Sequence, residues 1–160
     1  MPTTPPPRGA TLLNNYRQAI IAVAHQLWDE DEPNLLIADG HPGRTQVDDI
    51  VGFGRAWSEI ESGPMGPRRQ REEVLNIVVL FSIFRAGGID AEKLARDFAY
   101  DRLRELDNYV RATDTELAGL VRDCFVTSIE DAGVDPDLIT NGRLIEVQAI
   151  FTAHARLTTS

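Results

Sequence analysis

Two long runs of alternating side chains constrain the fold of this sequence more than any other feature. From Ile145 to Leu157 every second residue is apolar, and the positions between them are mostly polar. Successive side chains of a strand point to opposite faces, so this run predicts a long strand, Arg143 to Leu157, with one buried face. From Val74 to Phe84 the odd positions are all apolar and the even positions mostly so. This second run predicts a central strand, Glu73 to Ala86, that is covered on both sides.

Shorter patterns supply the other elements. Apolar residues three or four apart predict an N-terminal helix from Ala10 to Trp28, with Thr11 as its N-cap. The remaining predicted elements follow in chain order. They are a strand Leu35 to Ala38, a strand Val47 to Gly54 in which Gly52 and Gly54 suggest a bulge or a close backbone approach, and a loop Arg55 to Gln70. After the central strand come a helix capped by Asp90 and ending near Ala112, and a strand Val121 to Glu130 with Val121, Phe125 and Ile129 on one parity.

This order predicts an α+β fold: a mixed, largely antiparallel sheet with the N-terminal helix and one crossover helix packed on one face. Two arrangements of the strand from Val121 remain open. It could complete a right-handed crossover unit with the central strand, or it could form an antiparallel hairpin with the last strand. The proline-rich segment 1–9 is expected to be a flexible arm, and residues 10–160 a single domain.

Composition narrows the functional classes. The net charge is −9 and the sequence pI is about 4.7, which argues against a general nucleic-acid or anionic-membrane surface. Neither a signal peptide nor a transmembrane helix is expected, and the pattern is typical of a chain made in a reducing cytoplasm. The one cysteine, Cys124, cannot form an internal disulfide and is predicted to be a small buried hydrophobe.

The sequence shows no recognisable motif of catalysis or of cofactor binding. No nucleotide-binding glycine loop or nucleophile elbow is present, and His25 and His154 lack partners at the spacing of a metal site. We therefore expect no catalytic residue, no cofactor and no metal. The alternative is a small ligand-binding or hydrolytic domain that uses acids and a histidine in two turns as a general acid–base group. Turn chemistry explains those residues equally well; they are Asp39, His41, Asp48 and Asp49.

A basic cluster in the predicted loop is the sharpest local anomaly. Arg68, Arg69 and Arg71 stand together in an acidic protein. Arginine clusters bind carboxylates or phosphates, and three arginines are a small footprint for nucleic acid. We therefore predict a protein–protein contact, and place Trp57 and Met65 of the same segment in this candidate interface.

Several phrases occur in an order that resembles the tail-terminator family of long-tailed bacteriophages and related prophages. The resemblance covers Ala10 to Leu157. The phrases are the strand that ends in Asp39-Gly40, the Val-Gly strand Asp49 to Gly54, the entry Arg71-Glu72-Glu73 into an apolar strand, the turn Leu117-Ala118-Gly119, and the alternating last strand Gly142 to Leu157.

The resemblance implies a structural protein of the virion. Such proteins form rings, commonly hexamers, at the head-proximal end of the tail tube, where they end tube polymerisation and provide the head–tail joining surface. Implied partners are further copies of the chain, the tail tube protein and the head–tail connector proteins, after assembly in the host cytoplasm. Genomic DNA would pass through the ring without specific binding, which an acidic chain suits. A different head–tail connector or tail-completion subunit is the nearest alternative.

Overall fold

The long alternating strands form the centre of a five-stranded sheet. The protein is described by a computed structural model that covers residues 10–40, 47–62, 71–133 and 142–157. Its elements are α1 (Leu13–Trp28), β1 (Leu35–Asp39), β2 (Asp49–Ser62), β3 (Arg71–Ala86), α2 (Ile89–Asn108), a π-helical turn (Tyr109–Thr113), β4 (Asp123–Asp131) and β5 (Gly142–Leu157). The predicted α+β class is confirmed.

The strands lie in the order β1-β2-β3-β5-β4. β1 runs parallel to β2, and every other neighbouring pair is antiparallel. β4 and β5 therefore form the antiparallel hairpin that was one of the two predicted arrangements. β3 and β4 also run in the same direction and are connected through α2, but β5 lies between them.

The core lies between one face of the sheet and the two helices. The odd-numbered side chains from Leu75 to Ile83 on β3 are fully buried, as are Ile145, Val147 and Phe151 on β5. α1 and α2 contribute Tyr16, Ile20, Trp28, Ala95, Ala99 and Leu106 to the same cluster. This arrangement confirms that the alternating runs have one buried face and that both helices pack on it.

The other face carries the even-numbered side chains of β3 and β5, and we call it the open face. No helix in the described part of the chain packs on it. Its apolar side chains, among them Val74, Val78 and Leu80, are half-buried. The prediction that β3 is covered on both sides is therefore wrong. The apolar even positions of β3 alternate with Asn76 and Ser82, which a face fully enclosed by helices would rarely carry.

β2 is longer than predicted, because it continues through Arg55 to Ser62 instead of ending at Gly54. The expected bulge is present, since the register with β3 shifts between Phe53 and Ala56. The prediction of a loop from Arg55 is wrong up to Ser62, because β3 is long enough to pair with this segment as far as the Ser62–Arg71 position. The rest of the predicted loop, 63–70, lies outside the described residues.

The predicted helix caps and the orientation of β4 need correction. The N-caps are Leu12 and Gly88, not Thr11 and Asp90, and neither makes a side-chain capping bond. On β4 the buried side chain is Cys124, as expected of a small hydrophobe, whereas Ile129 is 51 % exposed. A bulge between Val126 and Ser128 changes the alternation, which a strict period of two cannot anticipate. The proline-rich arm lies outside the described residues.

Candidate functional site

Of the predicted interface residues, Trp57 and Arg71 lie in the described part of the chain, and Met65, Arg68 and Arg69 lie outside it. Trp57 is half-buried on the open face, beside Asn76 of β3. The guanidinium of Arg55 lies over its indole ring, 4.7 Å from the ring centroid. Arg71 is exposed at the start of β3, at the tip of the β2–β3 pair. Arg71 has the odd, helix-facing parity of β3 and lies five register positions from Trp57, so the structure does not bring these two predicted interface residues together.

The strand register arranges the open face in rows that cross the sheet. At the tip end one row runs from Glu61 on β2 through Glu72 on β3 to Arg156 on β5. Arg122, which immediately precedes β4, reaches into the same row. Its guanidinium lies 3.2 Å from the Glu72 carboxylate, and that of Arg156 lies 3.8 Å from it. The row is therefore acidic on the β2 side and basic on the β4 side.

A second row combines aromatic rings with buried polar groups. Trp57, Asn76, Thr152 and Phe125 are register partners across β2, β3, β5 and β4. The Thr152 hydroxyl donates to Asn76 Oδ1 at 2.8 Å, and it lies 2.7 Å from the Thr127 hydroxyl. Because these hydrogen bonds satisfy the buried hydroxyl, the row is a rigid polar strip with an aromatic side chain at each end.

Between these rows His154 pairs with Asp123 across β5 and β4. Their Nδ1 and Oδ1 atoms are 2.6 Å apart, and the same carboxylate oxygen accepts the His154 backbone N–H at 3.2 Å. The imidazole centroid lies 6.0 Å from that of Phe125. His25 likewise lies 2.9 Å from Asp29, one helical turn away. Both histidines are thus locally hydrogen-bonded, each to an acid close by.

The acids of the alternative acid–base site lie apart in the structure. In the parallel β1–β2 pair Asp39 lies beside Phe53, and Asp49 lies beside Leu35, which separates the two acids by roughly 13 Å along the strands. A hydrogen bond at 2.6 Å from Arg17 lowers the pKa of Asp39 from its ordinary value. A low pKa suits an ion pair better than a general base near neutral pH.

Asp48 and Asp49, two other residues of the alternative acid–base site, lie in a separate cleft. Asp49 pairs with Arg85, and together with Asp48 and Leu35 they line an open cleft at the start of β1. His41 lies outside the described residues. The parallel register, which the sequence did not specify, is the reason why Asp39 is directed away from this cleft.

The described residues offer no group of three or more histidine, cysteine or acidic side chains placed to hold a metal ion. Within the same ranges, none of the helices is both long enough and apolar enough to cross a membrane. The Cys124 thiol is buried beside the Tyr16 hydroxyl, and burial raises its pKa to about 12. This thiol is therefore held in its unreactive protonated form.

Sequence reasoning missed two residues of the open face. Arg122 precedes β4, and Phe125 was assigned only a shared parity with Val121 and Ile129. The register with β5, in which Phe125 pairs with Thr152, places its side chain on the open face. No local pattern within β4 reports this pairing, because it depends on the neighbouring strand.

Comparison with known proteins supports the fold. No protein-family model matches the chain, and no curated protein matches it. Among solved structures it matches a chain described as the virion of a native gene transfer agent (GTA) particle. The match has a TM-score of 0.56 at 13 % sequence identity, and covers 87 % of this chain and 96 % of that one. The two chains therefore share a fold.

Proposed function

We propose that this chain is a structural virion protein that forms a ring at the head-proximal end of a phage tail tube. The observation that carries the proposal is the shared fold with a chain of a gene transfer agent virion, which extends over 96 % of that chain. The succession of phrases that resembles the tail-terminator family supports the same role independently. The ring would end tube polymerisation and give the head–tail connector proteins a surface to join.

The open face supports a role in protein contact. It combines half-buried apolar side chains with paired and exposed charges, as in the row of Glu61, Glu72 and Arg156. Protein interfaces have this mixture of aromatic and arginine side chains within a polar rim. Trp57, which lies under the guanidinium of Arg55, is the natural anchor of such a contact.

A ring of identical subunits arranged head to tail uses heterologous contacts, so each copy needs two different and complementary surfaces. The basic β4 side and the acidic β2 side of the tip row are two such surfaces. A hexamer, as in the tail-terminator family, is the proposed state. With a net charge of −9 per chain, DNA would pass through the ring without specific binding.

Growth of purified tail tube protein into tubes, measured by negative-stain electron microscopy, tests the proposal. We expect added wild-type chain to shorten the tubes and to cap a single end of each. Leu94, which is exposed on α2 away from the open face, provides a control, and Leu94→Ala should cap as wild type does. Tubes of unchanged length with bare ends would contradict the terminator role, and incorporation along the tube would indicate a tube protein instead.

A further inference from the structure

The sheet has two uncovered edges within the described residues, and they differ in length and in sequence. β1 pairs with β2 only from Asp49 to Phe53, which leaves the outer edge of β2 without a strand partner from Arg55 to Ser62 in the described ranges. On the opposite side, β4 pairs with β5 on one edge only. Uncovered edges present unpaired backbone donors and acceptors, and proteins usually protect or use them.

Hydrogen bonds from Arg17 mark the point at which the uncovered edge of β2 begins. Arg17 of α1 donates to Asp39 at the end of β1 and to the Gly54 carbonyl of β2, each at 2.6 Å. This contact closes the β1–β2 pair at the bulge, and the β2 edge continues beyond it. On β4, the Val126 N–H donates to the Asp107 carboxylate at a long 3.4 Å. From Thr127 to Asp131 the β4 side chains are exposed.

The strand directions favour pairing of these two edges in different copies. β2 is antiparallel to β3, β3 to β5, and β5 to β4, so β2 and β4 run in opposite directions. A second copy placed beside the first in the same orientation brings its β2 next to β4 in an antiparallel arrangement. Antiparallel strands pair directly, with hydrogen bonds perpendicular to the strands. The contact is heterologous, and therefore repeats from copy to copy until a ring closes.

The side chains on the two edges are complementary when the rows continue from one copy to the next. The aromatic row ends in Phe125 on β4 and begins with Trp57 on β2, so it places an aromatic pair across the contact. The tip row begins with the exposed Glu61, and Arg122, which is 48 % exposed, brings its guanidinium into this row from one residue beyond the register position. Aromatic pairs and opposite charges are the cross-strand pairs that stabilise sheets.

The row between them does not oppose this arrangement. It ends in Asp123 and begins with Glu59, two acids that would otherwise repel each other. The Asp123 carboxylate contacts the His154 ring nitrogen Nδ1 and accepts a hydrogen bond from the His154 backbone N–H. Arg122 lies one residue away and adds a positive charge to the same edge.

We propose that residues 123–127 at the β4 edge of one copy pair with the edge of β2 from residue 55 to residue 62 in a second copy of this chain, with Trp57 against Phe125 and Glu61 beside the Arg122 guanidinium. The sheets then continue from subunit to subunit. This inference rests on the proposed function in one respect, since it takes the copies to form a closed ring. It specifies which surfaces make that ring, which the proposed function leaves open.

A charge exchange between two variants tests the pairing. In Arg122→Glu and in Glu61→Arg every contact of a homogeneous assembly joins like charges, so each variant alone should associate about tenfold more weakly or not at all. When the two are mixed in equal amounts, each contact between unlike copies joins opposite charges again. We expect native mass spectrometry to show rings of alternating copies in the mixture and smaller species in each variant alone.

Two controls show whether a loss of assembly comes from misfolding or from a general change in surface charge. Circular dichroism and thermal unfolding should show both variants folded, because both side chains are exposed. The pair Arg104→Glu and Asp97→Arg, which changes exposed charges on α2, should leave assembly unchanged.

The outcomes distinguish this inference from the proposed function. Rings that form in each variant as in wild type, or that the mixture does not restore, would overturn the edge pairing while the capping of tubes still stands. A wild-type chain that stays monomeric at high micromolar concentration, yet binds tube protein through Trp57, would assign the edge to that partner and also overturn the inference. Loss of tube capping alone would contradict the proposed function and leave the edge pairing supported.

Discussion

At the scale of single residues, Glu73 explains how α1 is joined to the sheet. Its side chain is fully buried at the start of β3. The carboxylate accepts the Leu12 backbone N–H at 2.7 Å and the Thr11 hydroxyl. It therefore satisfies donors that the start of a helix leaves open, and places a negative charge at the positive end of the helix dipole. Local sequence suggested Thr11 for this role, and its hydroxyl does accept the Leu13 backbone N–H at 3.0 Å. Glu73 adds an acceptor for the Leu12 N–H from more than sixty residues away.

Glu73→Ala should destabilise the protein by about 2 kcal/mol, because it leaves the buried Leu12 N–H without its acceptor and removes the hydrogen bond to the Thr11 hydroxyl. Chemical denaturation monitored by circular dichroism measures this change. Glu59→Ala, which removes an exposed acid from the neighbouring strand, should stay within about 0.5 kcal/mol of wild type. Equal effects of the two substitutions would show that the contact with α1 contributes nothing.

Cys124 provides a second test at this scale. Burial raises the pKa of its thiol to about 12, and burial is also the main reason why the pKa of Tyr16 lies well above its ordinary value. A raised pKa keeps the thiol protonated in the native state through neutral and mildly alkaline pH, and only the thiolate reacts. We expect a disulfide reagent to modify Cys124 at pH 8 only after the chain is unfolded with guanidinium. Rapid modification of the native protein would contradict the described core.

At the scale of elements, sequence periodicity predicted the strands and helices well and their junctions poorly. β3 and β5 follow a strict alternation because one face of each packs against the helices. β2 and β4 deviate because each contains a bulge, at Phe53/Ala56 and at Val126/Ser128. The length of β2 depended on the neighbouring β3, which no local pattern within β2 reports. For the same reason, the two edges and the aromatic row were visible only from the register.

The helix-facing side of β3 should not tolerate a charge. Ile77 is fully buried at the centre of the sheet, where an aspartate would lose its hydration without gaining a partner. Ile77→Asp is expected to cost several kcal/mol, a large part of the total stability of a domain, and to unfold it. Leu94→Asp makes the same kind of change at a side chain that is 63 % exposed on α2, and should remain folded. Thermal unfolding distinguishes the two, and a cooperative transition in Ile77→Asp near that of wild type would contradict the described packing.

At the scale of the whole molecule, the hydrophobic core and the surface available for contact with other proteins lie on different sides of the sheet. Both helices lie on one face and complete the core there, while the open face and the two edges carry aromatic and charged side chains. A subunit built in this way can join neighbours without rearranging its core. The solved virion chain with the same fold shows that this architecture occurs in an assembled particle.

The arginines near the β2–β3 tip provide an assembly test at this scale. Replacing Arg68, Arg69 and Arg71 together by alanine should impair assembly, because these side chains are proposed to contact a neighbouring subunit. Monomer stability should change by about 1 kcal/mol or less, since Arg71 is exposed. Native mass spectrometry and thermal unfolding measure the two effects.

A second triple variant makes this test specific. Lys93, Arg104 and Arg111 are exposed cations of α2 and of the turn that follows it, with side chains 79 %, 67 % and 55 % exposed. Their replacement by alanine removes the same charge from exposed positions on the helices and should leave assembly intact. If the tip variant assembles as well as this control, the arginine cluster takes no part in the contact.

The most direct test of the account is the position of this chain in the particles that contain it. A small epitope tag on the chain, with gold-labelled antibody and electron microscopy of purified particles, gives that position. We predict one labelled site per particle, at the junction of head and tail. Label along the tube, label at the distal tip, or unlabelled particles would contradict the proposed ring at the head-proximal end.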